Sequence, residues 1–251
     1  MFGRRPRLQS LPFVRVDELR PDSVPAEMFR TLRTNLAFSL VDQERSAILV
    51  TSPMAEEGKT LVTSHLGLAF ARAGKRVVVV DADFRHPSLH QYLNVPNDAG
   101  LAEVLLGDVS LADALKKIQV DDDPPVSLFV LTTGRRPPNP AELLGSRRMA
   151  TTLAALKEAA ELILVDCPPI VPVTDAGVLA PASDGAIIVA ASGVTRRNAL
   201  QRAVELLEKT GTNILGVVLN FLSGSDAAGY YYAYPYPKSG AAPQEPAGRI
   251  G

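Results

Sequence analysis

The sequence predicts an α/β fold, a doubly wound and mostly parallel sheet. Three observations predict it: short continuous apolar runs rich in β-branched residues, helical patterns between them, and carboxylates or turn residues where the runs stop. Strands covered by helices on both faces have no polar side to show, so they read as unbroken apolar runs. Strands alternating with helices give such a layered sheet, and its ligands bind beyond the carboxyl ends of the strands.

The apolar runs, in chain order, are Ala47–Ser52, Arg76–Asp81, Ser127–Leu131, Leu162–Asp166, Ala186–Ala191 and Ile214–Asn220. Before the first, Pro25–Leu40 has the pattern of an amphipathic helix with Phe29, Leu32, Leu36 and Leu40 as its apolar stripe. Glu27, Arg30 and Arg33, three apart, form a charged line beside that stripe. Such a line is either a solvated face or a self-complementary surface between subunits. Thr60–Ala73 places Val62, Leu66, Ala69, Phe70 and Ala73 at helical spacing, with Gly74 as a C-terminal stop. Arg197–Lys209 repeats the arrangement with Leu200, Ala203, Val204 and Leu207.

A chain of 251 residues can bury a full core, and its formal net charge of -1 gives no basic surplus for a nucleic-acid partner. Cys167 is the only cysteine, which excludes a disulfide scaffold and a cysteine-cluster metal site and suits a reducing compartment. No apolar run approaches the roughly 20 residues of a membrane span, so the expected location is cytoplasmic. Residues 1–24 read as a flexible arm, 25–223 as the one folded domain, and 224–251, rich in Gly, Ala, Pro and Tyr, as a disordered tail.

The chemistry gathers at the strand ends. Ala47–Ser52 runs into Pro53-Met54-Ala55-Glu56-Glu57-Gly58-Lys59-Thr60 and then a helix, the context of a phosphate loop. In such a loop, backbone N–H groups and a helix N-terminus face phosphate, and a lysine reaches the β and γ oxygens. Glu57, Gly58, Lys59, Thr60 and Leu61 are the expected nucleotide contacts. Pro53 stands where the usual first glycine would, and Glu56 brings a carboxylate into a loop that attracts anions. A second run, Val77–Val80, ends in Asp81-Ala82-Asp83; two carboxylates there suit Mg²⁺ binding through water and acceptance of a proton from an attacking hydroxyl. A third ends in Asp166, followed by Cys167-Pro168-Pro169, and resembles a Walker B strand. The expected metal group is Thr60, Asp81, Asp83 and Asp166; Lys59, Asp81 and Asp83 are the expected catalytic residues. Asn220 ends the last run, where its amide either reads an adenine edge or makes a simple turn. Asp175 either senses the γ-phosphate or caps the next helix. His65, His86 and His90 have no metal-ligand spacing.

Tyr230, Tyr231, Tyr232, Tyr234 and Tyr236 crowd a tail that has no core to fill. Pro235 and Pro237 favour an extended segment that presents each hydroxyl to an enzyme.

From Ala26 to Tyr236 the chain resembles the bacterial protein-tyrosine kinases of the capsular and exopolysaccharide type, the BY-kinases. The resemblance rests on Glu27-x-x-Arg30-x-x-Arg33, Gly58-Lys59-Thr60, Asp81-Ala82-Asp83-Phe84-Arg85, Gly100–Leu105, Pro138–Leu144, Asp166–Pro169 and the tyrosine cluster. It implies a P-loop kinase domain that uses ATP and Mg²⁺ and autophosphorylates the tail tyrosines between subunits of a ring. It also implies control of polysaccharide polymerisation and export. In the branch without a membrane segment, the partners are a separate transmembrane activator of the polysaccharide co-polymerase type and a cognate tyrosine phosphatase, and the kinase is recruited to the inner face of the membrane. Relatives commonly have Pro-Gly where this chain has Ala55-Glu56. Two other readings remain: a switch ATPase of the septum-site or plasmid-partition type, which carries a second lysine where Met54 stands, and a non-catalytic nucleotide-binding scaffold.

Overall fold

A computed structural model of the chain describes residues 23–122 and 125–222. The arm up to residue 22 and the tail from residue 223, with all five clustered tyrosines, lie outside the described residues. The compact unit ends at Asn220.

Helix α1 (Val24–Ser39) begins where the first side-chain cap occurs: Ser23 Oγ accepts the Ala26 N–H at 3.4 Å, and Pro25 occupies the first turn. It starts one residue before the expected Pro25. The chain continues through β1 (Ser46–Thr51), α2 (Lys59–Arg72), β2 (Val77–Asp81), α3 (Leu89–Tyr92), α4 (Leu101–Leu106) and α5 (Leu111–Ala114). A hairpin of β3 (Lys116–Asp122) and β4 (Pro125–Leu131) follows, then α6 (Pro140–Leu144), α7 (Arg147–Ala159) and β5 (Leu162–Asp166). The last elements are α8 (Asp175–Leu179), β6 (Gly185–Ala191), α9 (Arg197–Glu208) and β7 (Ile214–Asn220).

The described strands form one sheet in the order β3-β4-β2-β5-β1-β6-β7. Every pairing is parallel except β3 with β4. Alternate residues of each strand face opposite helical layers. On one side Ile48, Val77, Val79 and Leu164 meet Leu36, Leu66, Phe70 and Leu89 of α1, α2 and α3. On the other, Leu49, Val80, Val165 and Ile188 meet Leu101, Leu144, Met149, Leu153 and Leu207. Each such side chain, fully buried, contributes about 1.5–3 kcal/mol. Helix α2 lies so close to the sheet that a Cβ at Gly67 would sit 2.6 Å from Val79 Cγ2.

Two departures from the sequence reading concern the sheet margins. Strand β3 was not expected, because Lys116, Lys117, Gln119 and Asp121 break its apolar pattern; it is an edge strand held by its hairpin partner. Strand β7 is apolar as expected but not covered on both faces: it forms the other edge, and Val217 and Leu219 remain about half exposed.

Parallel pairing in register decides where the chemistry gathers. Asp81 lies opposite Asp166, and Asp166 lies opposite Val50, so β1, β2 and β5 deliver their last residues to one edge.

Candidate active site

The loop between β1 and α2 is held by side chains that the motif alone does not explain. Gly58, the N-cap of α2, has φ 86°, and Glu56 has φ 64°, so two residues of three are left-handed. Glycine takes that conformation freely, whereas a glutamate is strained there. Glu56 is exposed, whereas Glu57 is buried. Glu57 Oε2 accepts the Met54 N–H at 2.8 Å, and its Oε1 accepts the Thr195 hydroxyl at 2.5 Å. Burial raises the Glu57 pKa against both bonds. Asn220 Nδ2 donates to the Glu57 carbonyl at 3.1 Å. Glu57 and Asn220 thus brace the loop, and one amide proton of Asn220 is committed to the backbone. Leu61, in the first turn of α2, is half-buried against Val50, Val62 and Val189.

Lys59 turns into a nest of carboxylates. Its Nζ lies 2.7 Å from Asp83 Oδ2 and 3.7 Å from Asp166 Oδ1, and it donates to Thr60 Oγ1 at 3.3 Å. Burial works against the lysine charge, but Asp166, Asp83 and Asp81 outweigh it and hold the pKa above the usual lysine value.

The three aspartates differ in what occupies them. Asp81 is fully buried, and its two oxygens accept the Asp83 N–H at 3.0 Å and the Leu89 N–H at 3.1 Å. Burial, reinforced by Asp166, pushes its pKa well above the usual carboxylate range. For Asp83, burial opposes ionisation but Lys59 prevails and lowers the pKa; the Arg85 and His86 amides also donate to Oδ1, at 3.2 and 2.9 Å. Asp166 is fully buried with neither oxygen at full hydrogen-bond geometry to a partner, and burial pushes its pKa up to about 6 against the pull of the nearby Lys59 ammonium and Thr60 hydroxyl.

Two buried oxygens, with only the Lys59 ammonium 3.7 Å from one of them, leave room for a cation. No group of three or more His, Cys, Asp or Glu among the described residues is placed to hold a metal by itself. That donor set suits Mg²⁺, which keeps several waters and binds through one or two protein groups together with substrate phosphates. Asp166 and the Thr60 hydroxyl, itself accepting from Ser88 Oγ at 3.2 Å, fit that requirement. Asp81 and Asp83 stand beside them with oxygens already engaged.

Other expected positions fall as follows. Cys167 is buried and packs in the core. Asp175 opens α8 and is bound by Arg85. On α1, Arg30 Nε donates to Glu27 Oε2 at 2.6 Å, and Arg33 reaches the Ala69 carbonyl of α2 at 3.5 Å. Phe29 stacks on His65 of α2 with ring centroids 5.0 Å apart. Thr195 and Ser88 escaped the sequence reading; each follows a strand that ends at the ligand edge, which was the available signal. A cleft of about 510 Å³ beside the loop is lined by Met54, Ala55, Glu57, Val171, Thr195 and Asn198.

Residues 48–233 match the CobQ/CobB/MinD/ParA nucleotide binding domain. The tyrosine-protein kinase YwqD of Bacillus subtilis is 37% identical over 213 residues, covering 84% of this chain and 88% of the relative. The kinase domain of the Escherichia coli tyrosine kinase ETK superposes with a TM-score of 0.77 at 29% identity, covering 97% of this chain and 88% of that one. The septum site-determining protein MinD of Pyrococcus horikoshii, complexed with Mg-ADP, is more distant: TM-score 0.60 at 26% identity, over 72% of this chain and 73% of that one.

Proposed function

The chain belongs to the bacterial tyrosine-protein kinases, and we propose that it uses Mg-ATP at this site to phosphorylate Tyr230, Tyr231, Tyr232, Tyr234 and Tyr236 of a neighbouring copy. The observation that carries the reading is the buried Lys59–Asp83–Asp166 cluster at the head of α2.

Lys59 is the cation for the β and γ oxygens, beside the N-terminus of α2. When it turns to phosphate, Asp83 loses its ammonium partner and its basicity rises. Asp83 then accepts the tyrosine hydroxyl proton, as the bond from the γ-phosphorus to the bridging oxygen breaks and the tyrosine oxygen bonds to phosphorus. A free tyrosine has a pKa of about 10, so the acceptor needs such a base. Asp81, whose two oxygens accept two backbone amides, scaffolds the turn. Thr60 and Asp166 would hold Mg²⁺, which supplies charge neutralisation at the phosphates. Positioning and electrostatics carry most phosphoryl transfer, so these few groups suffice. Met54 in place of a second lysine weighs against the switch-ATPase reading.

In the same proposal Glu27, Arg30 and Arg33 pair subunits into a ring. Support comes from their position on α1, whose Phe29 stacks directly on the phosphate-loop helix. No helix among the described residues is long and apolar enough to cross a membrane. The ring would work at the inner face of the cell membrane with a separate transmembrane activator, be reset by a cognate phosphatase, and govern capsular or exopolysaccharide polymerisation and export.

The test is a mixture. A Lys59→Met copy with its tyrosines intact is incubated with Mg-ATP and an active copy whose five tail tyrosines are Phe. Phosphotyrosine on the Lys59→Met copy is expected, and none when that copy is alone. Phosphorylation of the isolated Lys59→Met protein at the parent rate would remove Lys59 from the site.

A further inference from the structure

Three loops leave the ligand edge after β1, β2 and β5, and parallel register fixes them only as far as the last paired residues, Asp81 and Asp166. Beyond those residues, other contacts must set the spacing. The loop after β5 is tied to the loop after β1, because Thr51 Oγ1 donates to the Pro168 carbonyl at 2.7 Å and the Ile170 N–H to the Ser52 carbonyl at 2.9 Å. The loop after β2 has a tie of its own. Arg85 Nε and Nη2 donate to Asp175 Oδ2 and Oδ1, each at 2.8 Å, a bidentate fork across 90 residues of sequence. Asp175 has no exposure at all, while the Arg85 side chain is 34% exposed. A fully buried carboxylate with a half-open arginine fork as its ion-pair partner is costly to keep unless its geometry matters.

The arginine is also bound into the catalytic turn. Its own N–H and that of His86 both donate to Asp83 Oδ1, while Phe84, between Asp83 and Arg85, is fully buried. Movement of Arg85 therefore moves Asp83. We propose that Arg85, braced by Asp175, is a positioning residue for phosphoryl transfer: it fixes the loop that carries Asp83 against the loop that follows Asp166. The inference rests on the kinase reading above and deepens it. While Lys59 sits on Asp83, the lysine helps to hold that carboxylate in place. Once Lys59 turns to phosphate, the Asp83 carboxylate is left with the Arg85 and His86 amides, while the Asp83 N–H stays on Asp81, so the Arg85–Asp175 tie bears most heavily at the moment of transfer.

The variants that test this are Arg85→Lys, which keeps the charge and loses the fork, and Asp175→Asn, which keeps the shape and buries no unpaired charge. Removing Arg85 to Ala would strand a buried carboxylate and confuse the outcome with unfolding. Each variant is expected to lower kcat for autophosphorylation by about 100-fold, the scale of a misplaced catalytic group, with KM for ATP changed less than about threefold. The double variant should be no slower than either single one, because both remove one tie. A second measurement is independent of activity: amide hydrogen exchange at Arg85 and His86 should quicken at least tenfold in Asp175→Asn, with the β2 amides unchanged. A parent protein that makes no phosphotyrosine would sink the kinase reading and leave the exchange result to judge the tie. An active parent with both variants within twofold of its kcat, additive losses in the double variant, or unchanged exchange at both amides would overturn the inference.

Discussion

Replacing Asp166 with Asn should make the metal-free protein more stable and unable to phosphorylate. The carboxylate is fully buried, neither oxygen is at full hydrogen-bond geometry to a partner, and its pKa stands at about 6 instead of 3.8. A carboxyl group whose pKa rises on folding binds its proton more tightly in the native state. Its contribution is therefore fully present below pH 3.8 and is lost as the pH rises through about 6. The interval between those values corresponds to about 3 kcal/mol. Asn keeps the neutral form at every pH and escapes that loss. For a domain of this size, 1 kcal/mol moves the melting temperature by roughly 2–4 °C, so the variant should melt on the order of 6–12 °C higher at pH 7.5. Lys59 retains Asp83 at 2.7 Å, so no cation is stranded. Thermal unfolding in EDTA at pH 7.5, 6 and 4.5 tests this, with the gap expected to close toward pH 4.5. A variant that melts at or below the parent at pH 7.5, or a gap that does not narrow with acid, would refute the reasoning.

Two further outcomes follow from the backbone. Glu56→Gly should stabilise the protein by about 1 kcal/mol, because a left-handed non-glycine residue costs roughly 1–2 kcal/mol and glycine gives part of that back in chain entropy; equal urea midpoints would contradict it. Gly67→Ala should destabilise by about 1–3 kcal/mol through overpacking, since its Cβ would meet Val79 Cγ2 at 2.6 Å. Adding Val79→Ala should return part of that loss in the same urea titration, and a double variant weaker than the sum of both would contradict the contact.

The central strands were legible because burial on both faces leaves a one-dimensional trace. Leu162–Asp166 coincides with its apolar run, and β1 differs by one residue at each end. Strand β3 was illegible for the complementary reason: an edge strand in a hairpin takes its stability from one neighbour and tolerates Lys116, Lys117 and Asp121, so no apolar period marks it. The same division holds at the site. Lys59, Asp83 and Asp166 were readable because each falls at a helix start, at a strand end or two residues beyond one. The roles of Glu57, Asn220 and Arg85 were not, since each depends on a partner 90 or more residues away: Thr195, the Glu57 carbonyl and Asp175.

The cluster also explains why so apolar a fold surrounds so polar a site. Three aspartates and one lysine sit at the edge where β1, β2 and β5 end, and the strands behind them are buried along their whole length. Burial first, and repulsion between neighbouring carboxylates second, makes Asp81 and Asp166 hold protons more tightly, whereas Asp83, in direct contact with Lys59, ionises more readily. A divalent cation or the departure of Lys59 toward phosphate changes that balance at all three positions. The apolar layers supply the stability that the charged edge consumes, and the charged edge in turn makes the site responsive to what binds there. A cluster neutralised by substitution should therefore be more stable and inert, which is the outcome expected of Asp166→Asn.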